Sequence, residues 1–183
     1  MNELLEMENI KKLKYRYFRQ LDCKQFEAMK DCFAEDATSS YDSARHAYQG
    51  RDAILAFLKG ALGTTRIIHQ HHGHHPEIDI ISETAATGIW YMDDTVHVLD
   101  HNMKTRGNGI YWDEYVKVDG QWRFQHIGYE RVWEYSEILS DRELTFKTMF
   151  DAEELERRAK RKPREAEPPI VYWEHKPGKG ERV

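Results

Sequence analysis

The sequence predicts an α+β fold, with helices packed on one face of a curved antiparallel β-sheet. Three observations predict it. Apolar residues recur at helical spacing through the first third of the chain; the pattern then changes to β-branched and aromatic runs; and Asp119-Gly120 joins the last two of those runs as a tight turn. Helices first and strands afterwards is the arrangement in which helices gather on one face of an antiparallel sheet.

Taken in order, Ile10, Leu13, Tyr17, Phe18 and Leu21 place a first amphipathic helix from about Leu4 to Leu21. The run "KQFEAMKDCF" predicts a second, with Phe26, Met29 and Phe33 on one face, and "QGRDAILAFLKGAL" a third, opening after Gly50 and closing near Gly60 or Gly63. Five runs then read as strands: "TRIIHQH", "EIDIIS", "AATGIWYMDDTVHVL", "GIYWDEYVKV" and "QWRFQHIGYERVW". Asp119 and Gly120 suit a hairpin whose central positions both need positive φ. A pocket between helices and sheet is the natural place for a small molecule. Residues 1–150 form the expected domain. Residues 151–183 form a charged C-terminal helix and tail, where "RRAKRKPR" among acidic neighbours reads as a solvated face.

Composition excludes several classes. No apolar run is long enough for a membrane helix, and a net charge of −5 argues against a nucleic-acid partner. The acidic, amphipathic start lacks a secretory pattern, and the two cysteines, Cys23 and Cys32, do not make a disulfide framework. A cytoplasmic location is expected. Nucleotide-binding glycine motifs, a nucleophile elbow and a C-x-x-C are absent.

The stretch "IIHQHHGHHPEID" holds five of the ten histidines, at positions 69, 71, 72, 74 and 75. Strand phase sorts them. Ile67, His69 and His71 share one face, and Ile68, Gln70 and His72 the other, while Gly73 and Pro76 put His74 and His75 in a bend. H-x-H spacing leaves three readings open: a metal site, one acid–base histidine, or structural histidines. Asp94 lies on the otherwise apolar phase Trp90, Met92, Val96, so it needs a partner such as Arg131. Asp22 with Gln25 matches an N-cap pair opening the second helix, the reading the residues alone favour. For Tyr41, core packing is the default.

Together these residues resemble the SnoaL-like branch of the nuclear transport factor 2-like superfamily. The likeness runs through "KYRYFRQLDCKQFEAMKDCFAEDA", H-x-x-G-H-x-P-E-I, "AATGIWYMDD" and "VDGQWRFQHIGYERV", from roughly Ile10 to Met149. Within the branch the chain is most similar to the bile acid 7α-dehydratases, and more distantly to scytalone dehydratases and hexachlorocyclohexane dehydrochlorinases. The resemblance implies a cone of curved antiparallel sheet capped by N-terminal helices, the cystatin-like α+β barrel. It implies a catalytic pair, Asp22 and His71, helped by Tyr17, with Tyr41, Asp94, Arg131 and His74 as substrate-binding residues. His69, His72 and His75 fall outside the pattern.

The relatives need neither metal nor cofactor. The expected activity is that of a dehydratase, a carbon–oxygen lyase acting on a cyclic, largely apolar hydroxy-ketone such as a steroid or polycyclic compound, free or CoA-linked. The alternatives are an isomerase, cyclase or dehydrohalogenase, or a non-catalytic ligand-binding protein or dioxygenase β-type subunit. A homo-oligomer, a trimer before a dimer, is the expected assembly.

Overall fold

In the computed structural model, residues 2–139, 148 and 150–160 are described. They fall in two compact units, residues 1–144 and 145–183. The first helix, α1, spans Glu3–Asp22. Asn2 caps it by accepting from the Leu5 N–H, with Glu3 and Glu6 in the first turn and Arg19 in the last, the charge order the helix dipole favours. Its inner stripe buries Ile10, Leu13, Lys14, Tyr17, Phe18 and Leu21. Lys24, in the left-handed region at φ 56°, ends it.

The expected second helix is shorter and tighter than the pattern suggested, a 3-10 turn over Ala28–Cys32. Phe33 is already extended and opens strand β1, so no further helical turn fits before it. Phe26, Met29 and Phe33 still bury together. Strands β1 (Phe33–Tyr41) and β2 (His46–Gln49) form a hairpin that the polar sequence "EDATSSYDSARH" did not announce. The third expected helix is α2, Arg51–Leu62, burying Ile54, Leu55 and Leu58.

The runs "TRIIHQH" and "EIDIIS" are one strand, β3 (Ile67–Ile80). Gly73 and Pro76 do not end it. The ladder shifts register between His74 and Glu77, with His75 at φ 47°, so a bulge takes up the proline. The position tolerates proline because β3 is an edge strand. Strands β4 (Ala85–Val98), β5 (Met103–Val118) and β6 (Gln121–Ile138) complete the meander. Asp119 and Gly120 turn at φ 52° and 74°, as their residue types required.

The sheet order is β2-β1-β6-β5-β4-β3. β1 runs parallel to β6, so this curved, unclosed sheet is mixed rather than wholly antiparallel. Helix α1 packs chiefly on β3, and α2 chiefly on β1. Between them and the sheet lies a core of Leu13, Tyr17, Phe33, Trp90, Tyr111, Tyr115, Phe124 and Ile127. The second unit contains helix α3, Ala152–Ala159, of the expected charged segment; the linker and tail expected after it lie outside the described residues. No helix among the described residues is long and apolar enough to cross a membrane.

Candidate active site

Asp22 is the last residue of α1, and that position decides what its carboxylate can do. It does not cap a second helix. One oxygen, Oδ1, lies 2.7 Å from His71 Nδ1 and 3.1 Å from His69 Nδ1, while Oδ2 accepts the His71 backbone N–H at 3.0 Å. Strand alternation explains the convergence: His69 and His71 face inward, while Gln70 and His72 face out and contact each other at 3.0 Å. The phase argument from the sequence therefore holds.

Burial works against the Asp22 charge, but the hydrogen bonds from His69 and then His71 outweigh it and hold the carboxyl at about 2. Burial lowers the His69 pKa, against the pull of Asp22, so this imidazole is neutral near pH 7. Lys24 Nζ sits 3.2 Å from His69 Nε2 and donates to the Leu62 and Ile67 carbonyls at 2.6 and 2.9 Å. An ammonium can only donate, so His69 accepts on Nε2 and donates Nδ1–H to Asp22. The remaining lone pairs of Asp22 Oδ1 serve His71, which leaves His71 Nε2 as the ring nitrogen available for proton transfer. Phe18 lies parallel to the His71 ring, with centroids 6.1 Å apart. Gly73 makes that approach possible, since a Cβ there would stand 2.6 Å from Phe18 Cε2.

Across the sheet from the pair lies an ion pair. His71 is the register partner of Asp94 on β4, and Asp94 of Gly107 on β5. Arg131, on β6, reaches over Gly107 to hold both Asp94 oxygens at 2.7 Å each. Burial opposes the guanidinium charge, but its hydrogen bonds to Asp94 raise the Arg131 pKa and keep it charged. The sequence paired these two residues correctly; the glycine between them carries no such signal in a single sequence.

Four tyrosines fill the neighbouring space. Tyr17 is fully buried against Phe18, Phe33 and Phe124. Tyr41 lies 5.9 Å from Tyr129, and Tyr129 lies 5.3 Å from Tyr111, ring centre to ring centre. Burial raises the phenol pKa of all four, so each stays protonated and able to donate. The Tyr41 and Tyr17 hydroxyls are buried side by side and hydrogen-bond each other.

The structure thus brings together Asp22 and His71, pairs Asp94 with Arg131, and groups Tyr17 with Tyr41. It does not bring His74 to them: that side chain is exposed on the other face, beside His72 and Asp93. Sequence reasoning missed Phe18, Lys24, Tyr111, Tyr129 and Gly107, and set His69 aside. Only His69 had left a signal, since its strand phase matched that of His71.

A curved, unclosed sheet with helices packed on it is the cone-like α+β fold of the nuclear transport factor 2-like class. Within that class the chain belongs to the SnoaL-like domain family, whose model matches residues 2–128. A protein from Novosphingobium aromaticivorans designated a scytalone dehydratase is 30% identical, with a TM-score of 0.68, over 73% of this chain and 88% of its own. The fold is also that of the hexachlorocyclohexane dehydrochlorinase from Novosphingobium barchaimii, at 17% identity and a TM-score of 0.68, over 79% of this chain and 97% of that one. A Nostoc punctiforme protein of unknown function with a cystatin-like fold superposes with a TM-score of 0.57 at 21% identity, over 69% and 91% of the two chains.

Proposed function

We infer that the protein is a cofactor-independent dehydratase that eliminates water from a cyclic, largely apolar hydroxy-ketone, with Asp22 and His71 as its acid–base pair. The observation that carries this reading is the 2.7 Å contact between Asp22 Oδ1 and His71 Nδ1, with Asp22 Oδ2 also on the His71 backbone. The contact at Nδ1 fixes the tautomer of the ring, and the backbone contact fixes the carboxylate that holds it.

In this mechanism His71 Nε2 removes the proton from the carbon beside the substrate carbonyl. The C–H electron pair becomes the new C=C bond as the C–O bond to the hydroxyl breaks. The imidazolium, stabilised by Asp22, returns its proton to the departing hydroxide, so one water is lost and the enzyme is regenerated. Tyr17 and Tyr41 donate to the enolising carbonyl or the leaving hydroxyl, and the Asp94–Arg131 pair orients polar groups deeper in the site. The apolar and aromatic surroundings suit a fused ring, which makes steroids, free or as CoA thioesters, the substrates to assay.

The test is a double-mutant cycle assayed on hydroxy-ketosteroids and their CoA esters. Asp22→Asn is expected to stay folded at the assay temperature, with a lowered melting temperature because the carboxylate's charged hydrogen bonds are lost, and to lose on the order of 10²-fold or more in turnover, the scale of a positioned acid–base group. Adding Asp22→Asn to His71→Ala is expected to cost little beyond His71→Ala alone, since residues acting as a unit are non-additive. An active His71→Ala protein would refute the mechanism, and independent, multiplying losses would refute the pairing.

A further inference from the structure

Three histidines of the cluster, His72, His74 and His75, take no part in the inner site and are exposed. His72 is the register partner of Asp93 on β4, and His74 is the next outward-facing residue along β3. One donor atom from each of His72, His74 and Asp93 lies within 4.8 Å of the others. The His72 and His74 rings are 5.8 Å apart, and the His75 ring stands 5.9 Å beyond His74.

We propose that His72, His74 and Asp93 form a zinc-class metal site on the outer face of β3, separate from the Asp22–His71 pair on the inner face. Two imidazoles and a carboxylate are a donor set that late first-row divalent ions prefer, with water completing the shell. Donors around a tetrahedral zinc stand about 3.3 Å apart at the usual bond lengths. The three groups close that far through rotation of exposed side chains. Two neighbours must yield: Gln70, whose amide is 3.0 Å from His72 Nε2, and Arg106, 3.7 Å from Asp93. Both contacts are made by exposed or half-exposed groups, which water takes over at little cost.

The inner trio of Asp22, His69 and His71 offers donors at similar spacing, but the Lys24 ammonium stands 3.2 Å from His69 Nε2 and repels a second cation. No such fixed cation is within hydrogen-bond reach of His72 or His74 among the described residues. The outer site ties an edge strand to its only sheet neighbour, since two ligands come from β3 and one from β4. A bound ion therefore holds in place the strand that carries His71.

The experiment is calorimetric zinc titration of the untagged, full-length protein, alongside thermal melts with and without zinc. Wild type is expected to take up about one zinc per chain and to melt at higher temperature in its presence, because an ion that binds only the folded state stabilises it. His72→Ala with His74→Ala is expected to abolish uptake and the thermal shift. Asp93→Asn is expected to weaken binding at least about tenfold, the least that even an outer-shell change costs. His71→Asn is expected to bind zinc as wild type does. A wild-type chain that takes up no zinc would overturn the proposal. So would binding that survives the His72 and His74 changes, or that His71→Asn abolishes, which would move the ion to the inner face.

Discussion

Gly107 shows how much a site can depend on a residue with no side chain. A Cβ there would stand 2.6 Å from Arg131 Nη1 and 3.1 Å from Asp94 Oδ1. Gly107→Ala is therefore expected to push the guanidinium off Asp94 and to cost about 1–3 kcal/mol, the range for overpacking a closed site. Thermal denaturation measures the loss; a melt equal to wild type would show that Arg131 moves aside freely. Asp22 supports a second prediction at this scale. With its folded-state pKa near 2, below the roughly 3.9 of an unfolded aspartate, it stabilises the fold above pH 4 and loses that contribution as pH falls through 2. Urea denaturation of wild type and Asp22→Asn between pH 7 and pH 2 measures this contribution. A difference between the two that does not shrink as pH falls toward 2 would show that the Asp22 charge contributes nothing.

At the scale of elements, α1 is tied to the sheet by polar as well as apolar groups. Lys14 and Asp113, both wholly buried side chains, meet at 2.7 Å. Asp113 also accepts from the Tyr115 hydroxyl at 2.8 Å, which in turn accepts from Trp90 Nε1 at 2.8 Å. Burial draws the Lys14 pKa down to about 8 against the pull of Asp113, and pushes that of Asp113 up. Lys14→Met leaves a buried carboxylate unpaired, a loss expected near 3–5 kcal/mol. Without Lys14 the folded-state pKa of Asp113 rises further, so the deficit should grow as pH rises and shrink in mild acid. Adding Asp113→Asn, which removes the charge but still accepts from Tyr115, is expected to restore most of the stability. Urea denaturation of wild type and both variants checks this, and a deficit independent of pH would exclude the unpaired charge as its cause.

The same pair marks where reading the sequence succeeds and where it stops. Asp94 stood out as a charge on an apolar strand phase. Lys14 in the α1 stripe and Asp113 between Tyr111 and Tyr115 have the same signature, but 99 residues separate the two partners. The long amphipathic elements α1, α2 and β4–β6 were legible because each buries one periodic face. Strands β1 and β2 were not, because the buried positions of β1 include Ala37 and Ser39, β2 buries none of its residues, and β1 gains its place from distant parallel pairing with β6. Asp22 was ambiguous for a related reason: helix-end aspartates commonly cap, and only the folded sheet shows what stands opposite this one.

For the molecule as a whole, the matched family region, residues 2–128, and the described core both end before the charged C-terminal segment. Removal of residues from Pro163 onward is expected to leave the melting transition of the first unit intact. Light scattering on the same samples tests the proposed trimer and whether Ile170, Val171, Tyr172 and Trp173 support it. A truncated chain that no longer folds would make the tail part of the core.

The mounting of His71 on an edge strand has a consequence for solubility. An open strand edge presents backbone N–H and C=O groups that can recruit another chain. The His71 N–H is instead taken by Asp22 from the end of α1, so the helix seals the sheet at the point where the reaction is proposed to occur. The carboxylate proposed to orient the base would thus also protect this border against intermolecular strand pairing. Changes at Asp22 are therefore expected to alter colloidal behaviour as well as the proposed turnover.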